Sequence, residues 1–426
     1  MVRPCQWPIR PNSATLGFTQ CEMRIVLSLI LLLMPVFAAI FFLIVGNGLL
    51  TTLVPLRAAV EGFSHSDIGW IGSAYFVGMI AGTWMTPVIV RRIGHIRAFS
   101  AYASVVAIAA LGFPLVNNVW LWMGLRGLCG FAFGGLYGIV ESWITYKAGQ
   151  NYRGRMLGLY NIIHFAGSAS GQQFLRIFDP RQFQLFSVSA GFLMAALLPM
   201  AVSKVEPPPL PPKGRLIFKR IHHVAPIGLV TIGLVGVANG SFWSLVPAYI
   251  EHLGLGASTV ATFMTVVILG CATGPYPLGR ISDLIDRRGV IVAVSLVAVL
   301  VELALAGIGA KRVELLYIFG FLLGIVIPVI YPLTVAHVMD RFSGDEAVVV
   351  SSTLLFAYCV GAVIGPIVAA ALMQWLGDRA LFVHNAAVHA GLAGFVIWRM
   401  LDKPPPPRQV DQPDLPEGEP TSEPRL

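Results

Sequence analysis

At 426 residues, with 56% hydrophobic and 12% charged side chains, the chain departs from soluble composition, in which about a quarter of residues are charged. Its apolar residues fall into about a dozen continuous runs, each long enough to cross roughly 30 Å of hydrocarbon as a helix; continuity rather than alternation excludes barrel strands. The net charge of +8 does not point to nucleic acid, because the Lys and Arg concentrate in alternate loops, as the positive-inside rule requires of a multi-pass membrane protein.

Residues 1–22 are polar, carry Pro4, Pro8 and Pro11, and lack the apolar core of a signal peptide. Segment 1–23 reads as a dispensable arm or a misassigned start. Six spans follow, over 30–55, 67–89, 98–116, 119–143, 155–176 and 183–202, within a first half of 24–202. Segment 203–223 holds Pro207, Pro208, Pro209, Pro211 and Pro212 beside Lys204, Lys213, Arg215, Lys219 and Arg220. It reads as a stiff, basic cytoplasmic linker. Six further spans, over 224–249, 258–279, 289–309, 314–338, 347–373 and 379–400, make a second half of 224–401. The tail 402–426 is rich in proline and acid, a composition that leaves it disordered. Five scattered cysteines (Cys5, Cys21, Cys129, Cys271 and Cys359) give neither a disulfide framework nor a metal site.

The halves repeat. At an offset of 192 residues Asn47-Gly48 overlays Asn239-Gly240, Pro55 overlays Pro247, Ser66 overlays Ser258, and Gly78 and Gly82 overlay Gly270 and Gly274. At an offset of 194, Gly130 overlays Gly324, Tyr137 overlays Tyr331, and Gly167 and Gly171 overlay Gly361 and Gly365. Glycine is common in membrane helices, so one match says little. A nearly constant offset through four pairs of helices says a good deal.

Between two apolar runs stands a charged island, Gly279-Arg280-Ile281-Ser282-Asp283-Leu284-Ile285-Asp286-Arg287-Arg288. Gly279 followed four residues later by Asp283, and then by arginines, fits a tight turn between membrane helices. The glycine permits close backbone approach, and an aspartate caps a helix or pairs with an arginine. A related stretch, Pro87 to Arg97, carries Arg91-Arg92 where the aspartate is expected. The island resembles the signature loop of the major facilitator superfamily, found between the second and third helices of each half. The stretches Arg91–Ala98, Glu141-Ser142-Trp143 and Asn151–Arg155 resemble the bacterial YcaD-like branch. The resemblance covers 24–401. It implies an all-α membrane protein of twelve transmembrane helices in two six-helix bundles, the major facilitator fold, in a bacterial inner membrane with both termini cytoplasmic. The substrate would bind between the bundles near mid-membrane.

Arg126 lies within the fourth span, where an arginine costs roughly 2.5–3.5 kcal/mol on insertion scales and must face protein or water. The resemblance makes it a holder of an anionic substrate or of a response to a coupling proton; a structural arginine bonded to carbonyls is the bland reading. Asn161, His164, Ser168 and Gln172 follow i, i+3, i+7 and i+11 on the fifth span, one polar stripe that must avoid lipid. His164 is a proton-site or packing histidine. Asn47, Asn239, Tyr137, Trp243, Tyr331 and Tyr358 complete the candidate substrate residues, though membrane asparagines also serve as interhelical glue. Glu302, in the ninth span, reads as half of a local pair or as a protonated acid.

The superfamily sets the second helix beside the eleventh and the eighth beside the fifth across the seam between halves. That juxtaposition gives two expected latches on the cytoplasmic side: Arg91 and Arg92 with Asp345 and Glu346, and Asp283 and Asp286 with Arg153 and Arg155, with Glu141 a further gating group. Topogenic arginines and solvated acids are the alternative.

The sequence has no phosphate-binding glycine-lysine loop, no HExxH and no GxSxG, so it holds no residues for ATP-driven pumping or for the known hydrolases, and no cofactor is expected. Gly365-Pro366 falls in the eleventh span, whereas many proton-coupled drug exporters carry their Gly-Pro motif in the fifth. The expectation is a secondary transporter, a monomer in the bilayer, moving a small polar or anionic solute by alternating access, with a proton as possible coupling partner. Proton-coupled efflux of an amphipathic compound and a non-transporting membrane sensor or scaffold remain open at this point.

Overall fold

The protein is described by a computed structural model over residues 20–203, 205–209, 216–342 and 346–402. The readings made for most of the N-terminal arm, for the tail beyond 402, for Lys204, Pro211, Pro212, Lys213 and Arg215, and for Asp345 lie outside the described residues.

The chain runs through fourteen helices among the described residues: α1 (Gln20–Val60), α2 (His65–Ile93), α3 (His95–Gly112), α4 (Val119–Gln173), α5 (Gln184–Ala195), α6 (Leu197–Ala201), α7 (Phe218–Val224), α8 (Pro226–His252), α9 (Gly256–Thr273), α10 (Pro275–Leu284), α11 (Arg287–Ile308), α12 (Val313–Met339), α13 (Ala347–Leu376) and α14 (Ala380–Asp402). Eleven helical stretches are long and apolar enough to cross a membrane, and one of them, Val119–Arg176 with 58 residues, crosses twice. Its reversal is at Gly149, whose backbone (φ 61, ψ −177) is open only to glycine. The arms 119–148 and 150–173 then lie side by side, with the Tyr137 and His164 rings 6.1 Å apart. Twelve crossings result, as the sequence predicts. The helix bounds differ in places. α1 is 41 residues long, about 60 Å at 1.5 Å per residue, so its first turns extend past the hydrocarbon.

α1 begins and α14 ends at the same, proximal end of the bundle; the other end is distal. Helices α1 to α6 pack on one another, as do α8 to α14. The seam between the two groups is formed by α1 and α2 against α8 and α13, and by the second arm of α4 against α9.

Helix pairing is set by glycines that let backbones touch. A Cβ at Gly130 would stand 1.8 Å from the Tyr75 carbonyl oxygen, and one at Gly82 1.9 Å from that of Phe131, so α2 and the first arm of α4 interlock. The repeat-related pair does the same between α9 and α12: a Cβ at Gly324 would meet the Val267 oxygen at 2.2 Å, and one at Gly274 the Ile325 oxygen at 2.0 Å. The offsets found in the sequence therefore map onto equivalent contacts.

One expectation is corrected. The charged island is not a turn: Gly279 to Leu284 are helical, in α10, and the turn is confined to Ile285-Asp286. Gly279 has open space where a Cβ would stand, so it mediates no close approach. Asp286 does the capping, accepting the Arg288 backbone N–H at 3.0 Å and pairing with the Arg288 guanidinium. The described part of the linker is held to both halves. Its first part is tied to α4, where Trp143 Nε1 donates to the Glu206 carbonyl at 3.3 Å and Lys147 pairs with Glu206 at 3.2 Å. Its last part is α7, held to α13 by the Ile217 N–H donating to Thr353 Oγ1 at 3.1 Å and by an ion pair of Arg220 with Glu346.

Candidate functional site

Midway along the seam lies a cavity of about 330 Å³. From α1 it takes Asn47, Thr51 and Thr52; from α2, Tyr75, Phe76 and Met79; from the two arms of α4, Arg126, Tyr137, His164, Ser168 and Gln172. α8 and α13 contribute Trp243, Ser244 and Tyr358. The lining is polar on the α1/α4 side and aromatic toward α2, α8 and α13.

Arg126 is the only charged residue among those lining it. Its side chain is 4% exposed, and its guanidinium carbon stands 4.5 Å from the centre of the Tyr75 ring. No carboxylate among the described residues pairs with it, and its buried Nη1 has no hydrogen-bond partner there. A ring face supplies part of the lost hydration, worth about 0.5–2 kcal/mol. It leaves Nη1 unspent, on a residue that lines the cavity, where a guanidinium donor suits an anion.

Around this cation the two halves contribute related groups. Asn47 Nδ2 donates to the Tyr137 hydroxyl at 3.3 Å, and Tyr137 stands against His164. Under the same offsets the partners of Asn47, Tyr137 and His164 are Asn239, Tyr331 and Tyr358. These also cluster: the Tyr331 and Tyr358 rings are 5.5 Å apart, and Asn239 reaches the Tyr358 hydroxyl. The offset carries Arg126 onto Gly320 and Tyr75 onto Val267. The positive charge is thus a one-sided addition to a symmetric scaffold.

Of the ten substrate residues expected, Asn47, Arg126, Tyr137, His164, Gln172, Trp243 and Tyr358 line the cavity. Gln172 also spends its amide on the fold, donating to the Gly48 carbonyl at 2.9 Å. Asn239 and Tyr331 stand behind Tyr358 and outside the lining, and Asn161 is exposed and away from it. Tyr75 and the threonines Thr51 and Thr52 were missed. Tyr75 carries no spacing signal, and it becomes visible only when Gly130 draws its backbone against α4.

Of the gating groups, Asp283 pairs with Arg287 at 3.3 Å, and Arg287 also with Asp340 at 3.1 Å. Arg91 Nε donates to the Pro87 carbonyl at 3.0 Å, and Arg155 lies over the Tyr152 ring. Glu141 is exposed on the first arm of α4. Arg92 is exposed at the end of α2. Toward the distal end, four hydrogen bonds among the described residues cross the seam: Ser73 Oγ to the Val363 carbonyl (2.7 Å), Gln173 to Thr265 (2.9 Å), Arg176 to Thr262 (2.6 Å) and His65 with Asp378 (2.7 Å).

The family model described as Major Facilitator Superfamily matches residues 36–221 and 228–423. The chain is 27% identical over 357 residues to the MFS-type transporter YcaD of Escherichia fergusonii, covering 83% of this chain and 92% of that one. It is 28% identical over 366 residues to an MFS-type transporter of Yersinia pestis, covering 84% and 92%. Among solved structures it is similar to the nucleoside transporter NupG, with a TM-score of 0.71 at 13% identity over 87% of this chain and 99% of that one. Twelve crossings in two repeats around a seam cavity carry the same conclusion as the family model that spans both repeats: the chain belongs to the major facilitator superfamily of secondary transporters, beside its YcaD-like members.

Proposed function

We propose that the protein moves a small organic anion across the bacterial inner membrane by alternating access, the bundles 24–202 and 224–401 rocking about the seam cavity. The observation that carries this reading is Arg126, a buried cation in the cavity with an unspent N–H donor and no carboxylate partner among the described residues. A resident arginine in a membrane core is expensive unless something anionic visits it. Tyr75, Phe76, Trp243 and Tyr358 beside it favour a solute that carries an apolar or aromatic body behind its charged group. This merges the polar-anion and amphipathic alternatives into one substrate class.

The proximal face carries Arg91, Arg92, Lys147, Arg153, Arg155, Lys219, Arg220, Arg287, Arg288 and Arg399, so the positive-inside rule makes it cytoplasmic and puts both termini there. The distal seam bonds then correspond to a state shut to the outside. His164, lining the same cavity, is the proposed coupling-proton residue, and the protein acts as a monomer. The test is a screen of organic anions for thermal stabilisation of the purified protein, followed by flux in liposomes with and without a pH gradient. A stabilising anion that is also transported, in an Arg126-dependent way, supports the reading. If neutral solutes alone stabilise and move, the anion assignment fails. If no solute moves at all, the scaffold reading takes its place.

A further inference from the structure

Far from the cavity, at the distal mouth, three side chains from three separated parts of the chain converge. His65 is the first residue of α2; its position is fixed by Ser64, whose hydroxyl caps the helix at Asp67 N and whose own N–H donates to the Asp67 carboxylate. His252 is the last residue of α8. Asp378 stands in the turn between α13 and α14, just after Gly377, whose φ of 84° turns the chain. His65 Nε2 lies 2.7 Å and His252 Nδ1 3.2 Å from the same carboxylate oxygen, Asp378 Oδ1. The two imidazole rings are 4.6 Å apart. One ligand atom from each of the three residues falls within 4.8 Å of the others.

We propose that His65, His252 and Asp378 form a binding site for a borderline divalent transition-metal ion of the zinc class, which ties the two halves together and holds the distal mouth shut. The donor set selects the ion: two imidazoles and one carboxylate suit zinc or nickel and disfavour magnesium or calcium, which want oxygen. In a tetrahedral site with bonds of about 2.0–2.2 Å, donors stand roughly 3.3 Å apart; the two separations to Asp378 Oδ1 come within about 0.6 Å of that, and the imidazole nitrogens, within 4.8 Å of each other, close the rest by side-chain rotation. Asp378 supplies the carboxylate donor, with one oxygen within hydrogen-bond distance of both imidazoles. The ion takes the place between the ring nitrogens and the carboxylate, where His65 Nε2, His252 Nδ1 and Asp378 Oδ1 already converge. Each of the three side chains keeps about a quarter of its surface open (23%, 23% and 29%), which gives an ion a way in.

The consequence for transport follows from where the ligands sit. His65 belongs to the first half, while His252 and Asp378 belong to the second. Opening the distal mouth removes one of three protein ligands and leaves a weak two-ligand remnant. An ion that binds the closed state more tightly than the open one shifts the equilibrium toward the closed state by its ratio of affinities. Micromolar zinc at the distal face is therefore an inhibitor of opening. The site does not involve Arg126, so the anion reading and this one stand or fall separately.

The test uses the full-length protein without a polyhistidine tag. Zinc chloride is titrated calorimetrically, with magnesium chloride as the control, and amide hydrogen exchange is followed over 61–70, 249–256 and 374–382. One zinc ion per chain at micromolar affinity, inert magnesium, and slowed exchange in all three segments are expected. His65→Gln should weaken zinc binding at least tenfold and abolish protection of 61–70; His252→Gln and Asp378→Asn should each weaken it similarly. Absence of zinc binding at 100 µM, equal binding by wild type and His65→Gln, or binding that leaves exchange unchanged in these segments each overturns the proposal. The zinc-magnesium comparison on unmodified protein keeps the test valid if a variant fails to fold.

Discussion

The guanidinium of Arg126 lies 4.5 Å from the centre of the Tyr75 ring, and this ring is the only partner among the described residues that a buried charge at mid-seam has been given. A cation so placed is held by its face and left open at its edge, the arrangement that lets a visiting carboxylate or phosphate take two N–H donors at once. Arg126→Gln should weaken binding of a stabilising anion by about 10- to 100-fold, since hydrogen bonds to charged groups contribute about 1.5–3 kcal/mol. Tyr75→Leu removes only the ring, worth about 0.5–2 kcal/mol, so its loss should be about twofold to thirtyfold. Isothermal titration with the anion found by screening reads both. Unchanged affinity in Arg126→Gln with intact expression would sink the assignment.

His164 lines the cavity between Tyr137 and Tyr160, with ring centres 6.1 Å away on each side. If it carries the coupling proton, His164→Gln should abolish gradient-driven accumulation while substrate exchange without a gradient persists. The measurement is counterflow against uptake in the same liposomes. Equal loss of both activities, or of neither, makes it a packing residue.

The proposed cytoplasmic latches have a reciprocal test. In this distal-closed structure Asp283 pairs with Arg287 and Asp286 with Arg288, both within the second half. In the proximal-closed state Asp283 and Asp286 are expected to meet Arg153 and Arg155. Asp283→Arg should raise labelling of a single cysteine placed in the cytoplasmic half of the cavity, and adding Arg155→Asp should restore it. Exposed pairs contribute about 0–1 kcal/mol each, enough to move a balanced two-state equilibrium severalfold. Strict additivity across the cycle would remove the latch at that seam.

The packing glycines make a cleaner structural prediction. Gly130→Ala and Gly324→Ala each drive a methyl into a backbone carbonyl, which cannot give way as a side-chain tip can. Each should cost about 1–3 kcal/mol or more and lower the detergent melting temperature by several degrees. Gly279→Ala meets open space and should leave it within a degree or raise it, despite Gly279 belonging to the charged island. A fall in melting temperature for Gly279→Ala comparable to that of Gly130→Ala contradicts this packing.

Glu302 is fully buried and lies 2.9 Å from His389 Nδ1, between α11 and α14. The sequence left Glu302 as half of a local pair or as a protonated acid; the structure sets His389, 87 positions further on and in another helix, within hydrogen-bond distance of it, an arrangement open to either protonation state. Removing one partner strands the other, so His389→Ala should destabilise by about 3–5 kcal/mol. The double variant Glu302→Leu with His389→Leu should recover most of that loss, since an apolar pair of similar volume needs no hydration. Melting curves for the three proteins decide it; no recovery in the double variant would give the pair a role beyond charge compensation.

What the sequence determined by itself was the membrane, the number of crossings and the repeat. Apolar runs of span length have one stable solution in hydrocarbon, a helix whose backbone satisfies itself, so twelve runs give twelve crossings without reference to neighbours. Arg126 was legible for the same reason, because a charge inside such a run has nowhere to go but inward. Adjacency between helices was not legible. Tyr75 comes under Arg126, His389 comes to Glu302, and His65 and His252 come to Asp378 through contacts between residues dozens to hundreds of positions apart. No spacing along a single helix encodes those meetings; close-packing glycines and the fold of the two halves set them. The polar stripe on the fifth span shows the limit. A helical face fixes direction but not depth, so His164, Ser168 and Gln172 reach the cavity while Asn161, on the same face and one turn nearer the proximal end, stays outside it.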